Sequence, residues 1–378
     1  MMLALKNCTK LDAAAPLPGV RGVPRAYCVF MMRRVAGPDA VPACMIAIVR
    51  SAQCKLMVMI ALALGLGSAS AQPHTGAAGY PSKPVRLIAP FAPGGGASIV
   101  ARLISEPLTE TWKQSVVVDN RAGAAGAIGT EMAARSAPDG YTLVMATAST
   151  VIINPLFSKV PFDPVRDFAP VVRTTTVPLV LVVPAAVPAK SVSELIALAS
   201  SRAGGLSYAS SGEGSISHLA GELFRSATGA VMVHVPYKGG GQALVDIIAG
   251  HVQTGFVNIL EALPNVRSGR LRGLAVTSPA RWPALPDMPT VGESGVTGYG
   301  VVQWSGVLAP AGTPRAIVAK LNADILRVLN RDDMRARLIE SGANPGSGTP
   351  EEFGAFIQAE IAKWSAVVRS ARLRAETK

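Results

Sequence analysis

Cysteine is scarce in this chain and confined to one end of it. The four copies, Cys8, Cys28, Cys44 and Cys54, all fall in the first 54 residues. Nothing downstream can form a disulfide, attack as a thiol or bind a metal through sulfur. Histidine is equally sparse, with only His74, His218, His234 and His251. No two of these have metal-ligand spacing, so no metal centre is expected. Aromatic residues make up 5% and charged residues 16%. No basic run carries interleaved aromatics, which argues against nucleic acid as a partner. The phosphate loop G-x-x-x-x-G-K-[ST] and the dinucleotide loop G-x-G-x-x-G are both missing. So is the G-x-S-x-G elbow of serine hydrolases: "GEGSISH" sets Ser215 near His218 without it, and Glu213 is the lone acid there. With no nucleophile, base and orienter to assemble, neither an enzyme nor a cofactor is expected.

Long apolar runs are also lacking. "KLMVMIALALGLGSASAQ" has Lys55, then an apolar stretch from Leu56 to Leu66, then Ala69-Ser70-Ala71. The stretch falls short of the roughly 20 residues of a membrane span. A basic segment, a short apolar segment and an A-x-A site instead describe a cleaved secretory signal, cut after Ala71. The 55 residues before the apolar stretch are too many for a bacterial signal. Residues 1–71 are therefore expected to be an overlong leader plus signal, with the true start at Met45, or else at Met31 or Met32. This segment holds eight basic and two acidic residues, a net of +6 out of the chain's +12. The 307 residues that remain carry the other +6, scattered, and no cysteine.

What is present is a globular composition, 49% apolar, arranged as alternating strand and helix patterns. That alternation predicts α/β architecture with parallel strands. "VRLIAPF", "SVVVDN" and "YTLVMAT" read as strands of a first group. The helix after "APGGG" puts Ile99, Val100, Leu103, Ile104, Leu108 and Trp112 on one stripe, with a kink expected at Pro107. "TTTVPLVLVVPA" opens a second group, whose strands are "LSYASSG", "VMVHVPY", "VQTGFVNI" and "LRGLAVTS". Ser191 with Glu194, and Thr349 with Glu352, form capping boxes; Thr313 before Pro314 is expected to cap a further helix. The chain returns to the first group through "GYGVVQWSGVLAP". Two lobes are expected: residues 80–176 with 301–378, and residues 177–300. Extended crossings near Thr174–Pro178 and Gly300–Gln303 form a two-strand hinge, and ligands favour the cleft between such lobes.

Three loops share one context, between a strand and a helix: "FAPGGGAS", "YASSGEGSISH" and "VPYKGGGQA". Each aims free N–H groups of a helix start at the expected cleft, where their positive partial charge attracts an anion. Glycine allows close approach, and serines add uncharged donors. A small carboxylate fits such a lining better than a phosphate, which usually recruits a lysine. For any one loop, a simple tight turn is the other reading.

"YPSKPVRLIAPFAPGGG", "VVVDNRAGAAGAIGTEMAARSAPDGYTL", "YASSGEGSISHLAGELF", "VHVPYKGGGQAL" and "LPDMPTVGESG" closely resemble the Bug family. These are periplasmic solute-binding proteins related to those of tripartite tricarboxylate transporters. The resemblance runs from about Tyr80 to the C-terminus. It implies a type II-like, two-lobed periplasmic binding protein that captures a small carboxylate, often through water, by lobe closure. The implied partner is a membrane transporter or, in some relatives, a sensor kinase; a monomer is expected. In the family's P-G-G-x-x-D loop Pro93, Gly94 and Gly95 match, but Ser98 stands where aspartate is common. Asn258 likewise replaces a common aspartate. Both changes remove negative charge, so a plain mono- or dicarboxylate, aromatic acids included, is expected rather than an amino acid.

The expected ligand contacts are Phe91, Pro93, Gly94, Gly95, Gly96 and Ser98 in the first loop, and Gly239 and Gly240 in the third. Ser210, Ser211 and Gly212 are expected to touch ligand rather than only cap a helix. Thr147 and Ser149 follow a strand's carboxyl end, where ligands gather. Asn258 completes the set. His218 lies off the apolar stripe of its helix and either faces the cleft or bonds a neighbouring loop. His234 is expected to be a satisfied core or hinge-side histidine, Lys238 a solvated lysine, and Trp304 a core residue.

Overall fold

A computed structural model of the chain describes residues 79–370. The expected leader, its cleavage site and the candidate starts lie outside these residues. The first group runs β1 (Val85–Ala89), α1 (Gly96–Trp112), β2 (Val116–Asn120), α2 (Ala127–Ala134), β3 (Thr142–Thr147) and the one-turn α3 (Asn154–Phe157). The long β4 (Phe168–Pro184) leads into α4 (Val192–Ser201), β5 (Leu206–Ser210), α5 (Ile216–Thr228), β6 (Met232–Pro236) and α6 (Gly240–Ile248). Then come β7 (Thr254–Asn258), α7 (Ile259–Arg267), β8 (Leu271–Val276) and β9 (Val302–Pro310). The described residues finish with α8 (Arg315–Leu329), α9 (Asp332–Glu340), β10 (Asn344–Pro345) and α10 (Pro350–Ser370).

The strands pair in the order β2-β1-β3-β9-β4-β7-β5-β6, with β8 and β10 also on β4. The two wings are parallel: β1 pairs β2 and β3, and β5 pairs β6 and β7. The centre differs from the all-parallel expectation. β9 runs antiparallel to β3 and β4, and β7 and β8 run antiparallel to β4. The reason is connectivity: β4 leaves one wing and β9 comes back, so the two extended segments cross in opposite directions. β4 pairs with β9 from Phe168 to Pro178 and with β7 and β8 from Leu179 to Pro184. Val180 to Val183 are fully buried, in keeping with a strand covered on both faces.

The helices follow their sequence signals closely. The predicted stripe of α1 is largely buried, and the helix continues through Pro107 to Trp112. Trp112 Nε1 donates to Asp324 on α8 at 2.8 Å, which joins two helices on one side of the sheet. Ser191 caps α4, and Thr349 and Glu352 exchange the reciprocal bonds of a capping box at α10. Thr313 does not cap as expected. Its hydroxyl donates to Pro310 O at 2.8 Å, because the turn out of β9 folds the side chain backward. Trp304 is buried edge-on to Phe353 and Phe356, a core residue.

Candidate functional site

The strand ends of both wings meet around a cavity of about 30 Å³. That is room for one or two water molecules. Phe91, Gly95 and Gly96 line it from the turn between β1 and α1, and Ser149 from the segment after β3. Ser210 and Ser211 enter from the end of β5, Gly240 from the start of α6 and Asn258 from the end of β7. These residues are far apart in sequence and come together because each follows a strand's carboxyl end.

The two glycine loops touch each other. A Cβ on Gly241 would lie 2.9 Å from Pro93 O, and one on Gly239 would lie 3.2 Å from Ala92 N. A Cβ on Gly96 would meet Asn258 Nδ2 at 2.7 Å. Gly94 takes φ +85°, a left-handed turn that glycine adopts without penalty. The first two contacts are backbone to backbone, and the third sets the Asn258 side-chain amide against Gly96.

Helix starts are capped from across the cavity. Ile216 N–H, opening α5, donates to Ser149 Oγ at 2.9 Å. Gly96 N–H, opening α1, donates to Glu261 Oε1 at 2.6 Å. Glu261 projects from the first turn of α7 and lines the cavity. Its other oxygen, Oε2, is buried and has no hydrogen-bond partner among the described residues. Burial pushes its carboxyl up to about 7, opposed only by the Gly96 N–H bond. A Cβ on Gly240 would collide with this carboxyl, so glycine is needed for the close approach.

Several expected contacts stand elsewhere. Pro93 and Gly94 are exposed at the loop's outer edge. Ser98 is turned away and bonds with Asn120, whose Nδ2 donates to Ser98 Oγ at 3.0 Å and to Phe91 O at 2.9 Å. Thr147 caps the next turn, its hydroxyl accepting from Thr150 N–H at 3.3 Å. Gly239 packs on Ala92, and Gly212 lines a separate surface pocket with Ala125 and Lys238. His218 Nδ1 accepts from Gly214 N–H at 3.1 Å, and its ring stacks on His234 at 4.1 Å. That is the loop-bonding reading of His218. His234 Nε2 sits 2.6 Å from Ser210 Oγ and orients that hydroxyl from behind. Burial lowers both imidazoles, His234 to about 4 with His218 adding to the effect, so both stay neutral near pH 7.

Sequence reasoning missed Glu261, Gln303 and Ser217 on the lining. Glu261 had a signal, since "NILE" reads as an Asn-initiated capping box. Asn258 does accept from Leu260 N–H at 2.9 Å. Glu261, however, reaches the other helix rather than its own. It also removes the premise of the argument against an amino-acid ligand, because the cavity does hold one acid.

A profile described as the tripartite tricarboxylate transporter family receptor matches residues 100–373. The chain belongs to this receptor family. Curated relatives include a UPF0065 protein from the tcbD-tcbE intergenic region of Pseudomonas sp. strain P51. It is 37% identical over 78% of this chain and 88% of its own length. Protein BugT of Bordetella pertussis is 38% identical over 77% and 90%. Among solved receptors, R. palustris Rpa4515 with adipate is 39% identical, with TM-score 0.75 over 77% of this chain and 98% of its own. MatC of Rhodopseudomonas palustris with bound malate is 34% identical, with TM-score 0.73 over 76% and 100%. The fold is the two-lobed α/β fold of these periplasmic binding proteins.

Proposed function

We propose that the chain is a periplasmic receptor that captures a small carboxylate between two lobes and delivers it to a tripartite tricarboxylate-type transporter. The carrying observation is the convergence of the Gly96 and Gly240 helix starts with Ser149, Ser210 and Ser211 around one cavity that, among the described residues, no lysine or arginine lines. Such a lining recognises an anion by amides and hydroxyls, where helix starts favour negative charge. The adipate and malate held by the solved relatives point to the same chemistry. The lobes are residues 80–176 with 301–378, and 177–300, joined through β4 and the segment entering β9. A ligand larger than a water or two requires these lobes to part and close again, and it favours the closed form by its differential affinity. Export through the N-terminal signal, a periplasmic location and a monomeric state complete the reading. No chemical step is assigned to the site.

A thermal-shift screen over dicarboxylates, adipate and malate included, tests it. A fitting acid at roughly 1,000 times its Kd stabilises the fold by about 4 kcal/mol. The acid is recovered unchanged. No shift from any acid, or consumption of the acid that binds, overturns the reading.

A further inference from the structure

Among the described residues, Glu261 is the one carboxylate on a cavity assigned to carboxylates. It is anchored there: Oε1 accepts from Gly96 N–H at 2.6 Å, and Gly240 leaves no space behind it. Oε2, on this lining residue, is buried and has no hydrogen-bond partner among the described residues. A bound acid therefore brings a second carboxylate beside the first, in a space that no cationic side chain among the described residues lines. Two such groups cannot both stay ionised at close range; they share a proton.

We propose that Glu261 is a ligand-contact residue that carries a proton when the receptor is loaded, its Oε2–H donating to the carboxylate of the bound acid. The proton comes from solvent, and the uptake approaches one per ligand at pH values where the empty receptor's carboxyl is ionised. It belongs on Oε2 because Oε1 is already engaged as an acceptor. The inference rests on the carboxylate reading and deepens it: the site admits acids with a proton, using a donor that no uncharged loop residue supplies.

Other charges do not alter this. On α1, Arg102, Glu106 and Glu110 are exposed. On α6, Asp246 accepts from Tyr237 Oη at 2.6 Å. On β4, Arg173 lies over the Phe356 ring. On β8, Arg272 donates to Val187 O and Ala189 O. Arg267 on α7 itself is exposed, and β7 has no titratable residue. His218 and His234 stand behind Ser210, outside the lining. The carboxyl's rise to about 7 by burial agrees with a proton available near neutrality.

The test uses the tightest dicarboxylate from the screen, measured by calorimetry between pH 7 and 8.5, where the acid is fully ionised. Two buffers of different ionisation enthalpy report proton uptake. The wild type is expected to lose about tenfold in affinity per pH unit toward the alkaline end and to take up close to one proton. Glu261→Gln, which keeps a donor and cannot titrate, is expected to bind with a flat pH profile and no uptake. Wild-type binding that is flat with pH and takes up no proton overturns the inference and leaves the carboxylate reading standing. Affinity for aspartate or glutamate that rises with pH and vanishes in Glu261→Gln also overturns it, making Glu261 an ammonium acceptor. If neither protein binds any acid at any pH, the carboxylate reading falls and the inference with it.

Discussion

Glu261 couples the stability of the fold to pH. Its carboxyl is raised from an ordinary 4.5 to about 7, so the folded chain holds the proton more tightly than the unfolded chain does. Stability is then full below pH 4.5 and is lost as pH climbs through about 7. The shift is worth about 3 kcal/mol at alkaline pH. Glu261→Gln lacks this loss; urea unfolding should find it more stable than the wild type by about that amount at pH 8.5, with the gap closing by pH 4.5. Gly240 supplies a second prediction. Gly240→Ala should cost at least tenfold in ligand affinity, because its methyl group collides with the Glu261 carboxyl. In a Glu261→Ala background the same change should cost much less, and a double-mutant cycle on the dissociation constants measures the difference. At this scale the sequence was a partial guide. The residue types that follow strand ends (Gly96, Ser149, Ser210, Asn258) were legible, because strand ends in a parallel wing share one edge. Ser98 and Glu261 were not. Which way a side chain turns out of a loop depends on neighbours such as Asn120 and Gly96 that lie far off in the chain.

The elements were legible where local chemistry decides them. Capping at Ser191 and Thr349, the apolar stripe of α1 and the buried run of β4 each need only a few neighbouring residues. Strand direction in the centre was not, because it depends on which segment crosses from one wing to the other. The stacked histidines tie α5 to β6 in a way that periodicity could not reveal. They carry a prediction at this scale. Burial holds His234 near 4, below its ordinary 6.5, so the folded state resists protonation. That stability is present above pH 6.5 and is lost as pH falls toward 4. His234→Gln should lose less stability over the same interval, as read by circular dichroism at 222 nm during urea titrations.

The whole molecule has one strand in common. β4 is a member of the sheet in both halves, with Pro178 and Leu179 as consecutive residues that answer to different neighbours. Neither half owns a closed set of backbone bonds; fraying one exposes the spine of the other. Heating should therefore melt the receptor as a unit, with a single calorimetric peak whose van't Hoff and measured enthalpies agree. Two resolved peaks, one for each half, would show that the shared spine does not bind their fates together.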